Sequence, residues 1–187
     1  MTLLEMKKKI LSLIEELNPQ SESLTDDPDI KAKINDVINS VMYELARYKK
    51  ISKYAAIEVS DGDVITFADL ERQIGSEIYQ IELITGVPFT MRANNTVIKV
   101  NGSGTMEIDV SVYPERITDK TKDGQYEFEL TPDVLEILPY GAAGNLLKSD
   151  VSSDNGRVYT NEYEKLKQNL DIRYSATMIR CTGGIDV

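Results

Sequence analysis

Apolar residues recur at helical spacing near both ends of the chain, and at two-residue spacing in its middle. Leu3, Met6, Ile10, Leu13 and Leu17 step by three and four, which places them on one face of a helix over Leu3–Leu17. Asn18-Pro19 ends that helix, because a residue preceding proline is pushed out of the α region. After a polar linker, Asp27-Pro28-Asp29 opens a second helix as a cap, a first-turn proline and a charge that favours the positive dipole end. Its apolar stripe is Ile30, Ile34, Val37, Ile38, Val41, Leu45 and Tyr48, and Arg47, Lys49 and Lys50 suit its C-terminal end.

From Tyr54 the period becomes two. Met106, Ile108, Val110 and Val112 alternate with Glu107, Asp109 and Ser111, and Tyr126, Phe128 and Leu130 alternate with Glu127 and Glu129. Both patterns predict half-buried antiparallel strands. Shorter strands are predicted at Ala56–Ser60, Val64–Phe67, Ile78–Thr85, Phe89–Arg92 and Val97–Val100, with a short helix over Ala68–Gly75. Asp61-Gly62, Asn94-Asn95, Asp123-Gly124 and Asn101-Gly102-Ser103-Gly104 are turn sequences. A small β-sandwich or a curved sheet fits them. Helical grammar then returns. Thr131-Pro132-Asp133 starts a third helix, which Pro139 should kink or divide at Leu138, and Tyr159, Tyr163, Leu166, Leu170 and Tyr174 mark a fourth. The expected fold is α+β: a four-helix core made of N- and C-terminal helical hairpins (1–53 and 131–187) with an antiparallel β module, 54–130, inserted between them.

Composition narrows the class. The 187 residues are 41% hydrophobic and 28% charged, enough apolar matter for a packed core. A net charge of −10 argues against binding to DNA phosphates. A single cysteine, Cys181, precludes an internal disulfide and suits a reducing compartment. Lys7, Lys8 and Lys9 interrupt the N-terminal apolar run, so that segment reads as an amphipathic helix and not a signal peptide. No apolar run approaches the roughly 18 residues of a membrane span, and the expectation is a soluble protein made in the cytoplasm with no membrane partner.

The chemistry-bearing residues form no catalytic set. Histidine is absent, which removes the commonest general base and metal ligand. Cys181 therefore has no imidazole to activate it. Asp26, Asp27 and Asp29 lack the alternating oxygen pattern of a calcium loop, and capping accounts for them. Asp150, Ser152 and Asp154 come nearer, but Asn155 stands where that loop needs glycine and Asn161 where it needs a bidentate glutamate. Asn101–Gly104 has neither the Lys-Ser/Thr nor the strand-to-helix setting of a phosphate loop, so a hairpin turn is expected there. Gly141-Ala-Ala-Gly144 has the spacing of an RNA-clamping GxxG but only Lys148 as a basic neighbour, and close helix packing explains it. Glu15-Glu16 and Glu127/Glu129 read as solvated faces. No enzymatic activity, cofactor or metal is expected.

One stretch carries more. From Tyr126 to Asp150 a strand with aromatic/Leu alternation enters a helix through Leu138-Pro139-Tyr140, followed by Ala142-Ala143, Leu146-Leu147 and Asp150. This resembles the head–tail connector adaptors of tailed bacteriophages. Tyr159–Leu170, with Asn161-Glu162-Tyr163-Glu164, is similar to the second C-terminal helix of that family. The insertion at 54–130 is longer than simple adaptors carry. The resemblance implies a structural virion protein located in the neck of the particle. It would assemble as a ring of about twelve copies docked to the portal protein, and would join the head to a neck or tail-completion protein. DNA would pass through the channel without sequence-specific binding. The tail beyond Tyr174 is too short to fold alone, and Met178, Ile179, Ile185 and Val187 are its expected protein-interface side chains. Rival readings are a small-ligand or glycan-binding module, with Tyr79, Tyr113 and Tyr126 lining a site on the β insert, and another minor head or decoration protein.

Overall fold

The computed structural model describes residues 1–93, 96–149 and 154–172, and within these the protein is mixed α+β, with five α-helices and two small antiparallel sheets. Helix α1 covers Leu3–Leu13 and α2 Pro28–Tyr48. Strand β1 (Ile51–Val59) is followed by β2 (Val64–Thr66), α3 (Phe67–Ile74), β3 (Ile78–Thr85), β4 (Phe89–Arg92), β5 (Val97–Val100) and β6 (Gly104–Val112). Helices α4 (Pro132–Leu146) and α5 (Asn155–Ile172) complete the order, with a 3-10 turn over Leu147–Ser149.

Local chemistry fixes most of these boundaries. Thr2 and Glu5 form a reciprocal capping box on α1, Asp27 accepts hydrogen bonds from the Asp29 and Ile30 N–H groups of α2, and Thr66 with Asp69 repeats the box on α3. Gly75 takes the left-handed conformation (φ +71°) that closes α3. Helix α1 ends four residues before the expected Leu17. Glu15 turns left-handed (φ +62°), and the N–H groups of Glu15 and Glu16 return to the Ser12 and Leu11 carbonyls. That is a Schellman closure without glycine, so no residue in the sequence advertises it. Helix α4 is not divided at Leu138. Pro139 forfeits one backbone hydrogen bond, but Leu138, Pro139, Ala142 and Ala143 are all buried, and that packing keeps the helix continuous.

The sheets are ordered β1-β6-β3 and β2-β5-β4. Strand β6 is central, paired antiparallel with β1 from Ile51↔Val112 to Val59↔Gly104 and with β3 through two register irregularities. Its Met106, Ile108, Val110 and Val112 are fully buried, and with Val59, Ile98 and Val100 they make one apolar cluster drawn from both sheets. The pairing begins at Ile51, three residues before the change of period at Tyr54.

A second apolar cluster joins α1, α2, α4 and α5. Residues 113–130, expected to belong to the β module, pack here instead: Ile117, Tyr126, Phe128 and Leu130 are members of this helical cluster. The alternation at Tyr126–Leu130 is real as a burial pattern, but it does not make a strand. Its ladder contact is a single bridge, Thr2↔Glu127, supported by the Leu3 N–H donating to the Tyr126 carbonyl and the Phe128 N–H to the Met1 carbonyl. Asn39 on α2 pins the start of the segment, its amide donating to the Ile117 carbonyl (2.7 Å) and accepting from the Ile117 N–H (2.9 Å).

Candidate interaction surface

An apolar groove lies between α1, α4 and α5, with a cavity volume of about 850 Å³. Leu13 and Leu17 come from α1 and the residues following it, Ile137, Pro139 and Tyr140 from α4, and Leu166 and Leu170 from α5. Lys8, Lys9, Ser12, Asp133, Glu136, Glu162 and Asn169 complete the lining. Its floor is buried, as Ile137 and Leu170 show, whereas Leu13, Leu17, Tyr140 and Leu166 remain half-exposed. One edge is fixed by the Tyr159 hydroxyl, which donates to the Leu13 carbonyl and ties α5 to the end of α1. This shape accepts apolar side chains.

The tyrosines of the rival reading part company. Tyr113 stacks on Tyr43 of α2 with ring centroids 4.8 Å apart, and Tyr79 of β3 packs on its other neighbour position, also at 4.8 Å. Arg47 lies over the Tyr113 ring and donates to its hydroxyl, while the Tyr79 hydroxyl donates to the Ala46 carbonyl. Tyr126 is elsewhere, buried in the helical cluster against Phe128 and donating to the Glu115 carbonyl; burial and nearby carboxylates push its pKa up. Tyr79 and Tyr113 thus serve as a joint between sheet and helices.

One ion pair reinforces that joint, and a second ties α2 to α4. Lys50 at the end of α2 donates to Glu82 of β3 (2.7 Å), and Lys49 donates to Asp133 at the start of α4. Burial works against both carboxylates. The hydrogen bonds outweigh it: from Lys50 and Ser111 on Glu82, and from Lys49 and Thr131 on Asp133, so both pKa values lie below the ordinary carboxylate range. Depressed folded-state values mean that this stabilisation is complete above the unfolded carboxylate pKa and is lost as pH falls through the folded one. Thermal melts should therefore be level from neutrality to about pH 5 and fall steeply below about pH 4. The double variant Glu82→Gln, Asp133→Asn should melt lower at neutrality and lose less on acidification. An acid loss identical to that of the unaltered protein would remove these two groups from the account.

The remaining sequence candidates resolve into structural roles. Asp27 caps α2, and Asp26 accepts from the Asn18 side chain. Asn101–Gly104 is a turn, but it does not close a hairpin: β5 and β6 belong to different sheets, so the turn carries the chain from one to the other. There Ser103 accepts from the Asp61 N–H, and the Asn101 N–H donates to the Pro88 carbonyl. Gly141 and Gly144 mark close helix packing, since a Cβ on Gly141 would lie 2.8 Å from Val41 and Tyr163, and one on Gly144 2.7 Å from the Thr160 hydroxyl. Glu15, Glu16, Glu127 and Glu129 are exposed. Lys167, which the sequence did not single out, is buried between Glu44 (2.7 Å) and Glu164 (2.8 Å) above the Tyr48 and Tyr163 rings. Desolvation opposes its charge, but the two carboxylates outweigh that and raise its pKa.

Of the Asp150, Ser152 and Asp154 set, only Asp154 is described; it is exposed beside Arg157 at 3.9 Å. Cys181 and the expected interface side chains Met178, Ile179, Ile185 and Val187 lie outside the described residues. Among the described residues no group of three or more carboxylate or thiol side chains could hold a metal, and no helix is long and apolar enough to cross a membrane. The groove was not foreseeable from any motif, because its walls come from three segments far apart in sequence. No protein-family model matches the chain, and no curated protein matches it either.

Proposed function

We propose that this protein is a head–tail connector adaptor of a tailed bacteriophage, a structural protein of the virion neck. In this reading α1, α2, α4 and α5 are its four-helix core and the two sheets its inserted module. The observation that carries the proposal is where the connector-like residues fall. Leu138, Pro139, Ala142 and Ala143 form the buried centre of α4, against which the other helices pack, and the same helix leaves Tyr140 half-exposed above the buried Ile137 in the groove wall. A ring subunit needs both properties, a rigid wedge and apolar surface that only a neighbour covers. The joint built from Tyr43, Tyr113, Tyr79 and Arg47 makes the wedge rigid by coupling sheet to helices. A charge of −10 per subunit, repeated around a channel, repels duplex DNA and lets it slide.

The partners are then the portal ring above, a neck or tail-completion protein below, and further copies of this chain. Native mass measurement and negative-stain imaging of the full chain, alone and with the portal ring of the same particle, test this. A closed ring of discrete mass, seated on the portal, is expected. A chain that stays monomeric at all concentrations, with and without the portal, would sink the proposal.

A further inference from the structure

We infer that the open seam beside β3 is a docking site for an extended segment of another protein, one that alternates apolar and basic side chains and adds to β3 as a further strand. This contact is separate from ring formation and from the portal. In the order β1-β6-β3 one edge of β3 is paired with β6, and among the described residues no strand pairs with the other. Six consecutive residues, 79–84, line a cleft along that edge with a volume of about 480 Å³. A wall of consecutive residues is the edge of a strand, since a face presents only every second side chain. The unpaired N–H and C=O groups there are a template for another extended backbone.

The cleft is also a gap in the cover of the buried sheet cluster. Phe67, Ile81, Ile84 and Met91 pack on that cluster but stay partly exposed, and they line the cleft with Phe89, which is 36% exposed. Phe89 and Met91 come from β4, the edge strand of the other sheet. Alternate side chains of an added strand would rest on these residues, and those between would join the outer face of β1-β6-β3. That face is acidic. Leu83, 54% exposed, stands opposite Asp109 in the ladder and Thr85 opposite Glu107. Lys50 answers Glu82, whereas Glu107 and Asp109 have no ion-pair partner among the described residues. Arg92 and Lys99 do not reach this face, because strand alternation turns them away from Phe89 and Met91 on the second sheet. Basic side chains on the incoming segment therefore complement it. A second copy suits the edge less well: the alternating stretches of this chain set Glu107 and Asp109, or Glu127 and Glu129, between their apolar residues. The register irregularities at Tyr79 and Glu82 also bend β3, which discourages pairing between the long edges of two copies.

The test uses the full chain and a labelled, end-blocked peptide, Lys-Val-Lys-Ile-Lys-Val-Lys. Peptide in large excess should slow amide exchange over residues 79–84 at least about tenfold. Backbone N-methylation separates strand addition from loose apolar contact. Methylating the Val and Ile nitrogens blocks one edge of the peptide, and methylating the Lys nitrogens blocks the other. One of these peptides should bind at least about tenfold more weakly than the parent while the other keeps its affinity. A peptide with Glu in place of Lys should also bind at least about tenfold more weakly. Leu83→Ser and Phe89→Ser, checked for folding by circular dichroism, should each weaken binding at least about fivefold. Val64→Ser, exposed but outside the cleft, should leave it unchanged. Unaltered exchange over 79–84 would overturn the inference. So would equal binding of the two methylated peptides, or undiminished binding of the acidic one. Protection of 79–84 that appears without peptide as the protein is concentrated would assign the edge to a second copy instead.

Discussion

Gly141→Leu should prevent the protein from reaching its native fold, and even Gly141→Ala should lower its stability by about 1–2 kcal/mol. Alanine is intrinsically better than glycine in a helix interior by about 1 kcal/mol, so an exposed site would gain from that change. Position 141 reverses the sign through contact. A Cβ there would meet Val41 of α2 and the Tyr163 ring of α5 at 2.8 Å, on two sides at once. Neither neighbour yields easily, because Val41 is 1% exposed and the Tyr163 ring lies beneath the paired Lys167 ammonium. Leucine would force the helices apart and uncover much of the cluster around Leu138 and Ala142. For a chain of this length each kcal/mol moves the melting temperature by about 2–4 °C, so thermal denaturation resolves even the alanine variant. Gly124→Ala, at a site with no atom within 4 Å of the added Cβ, is the neutral control. Shortening Val41 to alanine should recover part of the Gly141→Ala loss, and a fully additive pair would contradict the proposed clash. An increase in melting temperature for Gly141→Ala alone would show that α4 is not held this closely.

That glycine also shows which parts of the molecule the sequence disclosed. The GxxG spacing at 141–144 was readable as close packing, because two small residues three apart share a helix face and no cationic neighbours argued for a ligand. Helices α2 and α5 were readable for a similar reason: Asp27-Pro28 and the tyrosine–leucine stripe act locally. Tyr126–Leu130 was misread because a two-residue burial period reports an extended, half-buried segment and does not say whether its backbone is paired. In the folded chain these side chains lean on helices, and the backbone bonds go chiefly to Met1 and Leu3, at and just before the start of α1. The end of α1 was hidden because Glu15 adopts a conformation that glycine usually signals. The groove was invisible for a third reason. Leu13, Tyr140 and Leu166 each look like ordinary core positions, and only the packing of α1, α4 and α5 leaves them partly open.

Asn39→Ala should destabilise the protein by about 2–4 kcal/mol, more than a typical surface or even many core truncations. Asn39 stands among the apolar residues of α2 with 5% exposure, and its side chain imitates a paired strand for one residue. The amide donates to the Ile117 carbonyl and accepts from the Ile117 N–H, and Ile117 itself is 2% exposed. Alanine removes both partners while leaving both backbone groups buried, and each unpaired group costs about 1–3 kcal/mol. The consequence is more than local. Ile117 lies near the start of the 113–130 segment that leads from β6 to α4, so its release should loosen both the joint at Tyr113 and the packing of Tyr126 in the helical cluster. Amide hydrogen exchange should rise over residues 113–130 in the variant while β1 and β6 keep their protection. Asn39→Asp provides a sharper discrimination, since it keeps the shape but loses a donor and buries a charge. Burial raises the folded-state pKa of such a carboxyl, so its penalty is greatest at neutral pH and shrinks as pH falls through that value. The gap between the Asp variant and the unaltered protein should therefore narrow on mild acidification, when the protonated acid can again donate to the Ile117 carbonyl. A gap independent of pH, or an Asn39→Ala variant within about 0.5 kcal/mol of the unaltered protein, would show that the 113–130 segment is held by its apolar side chains alone.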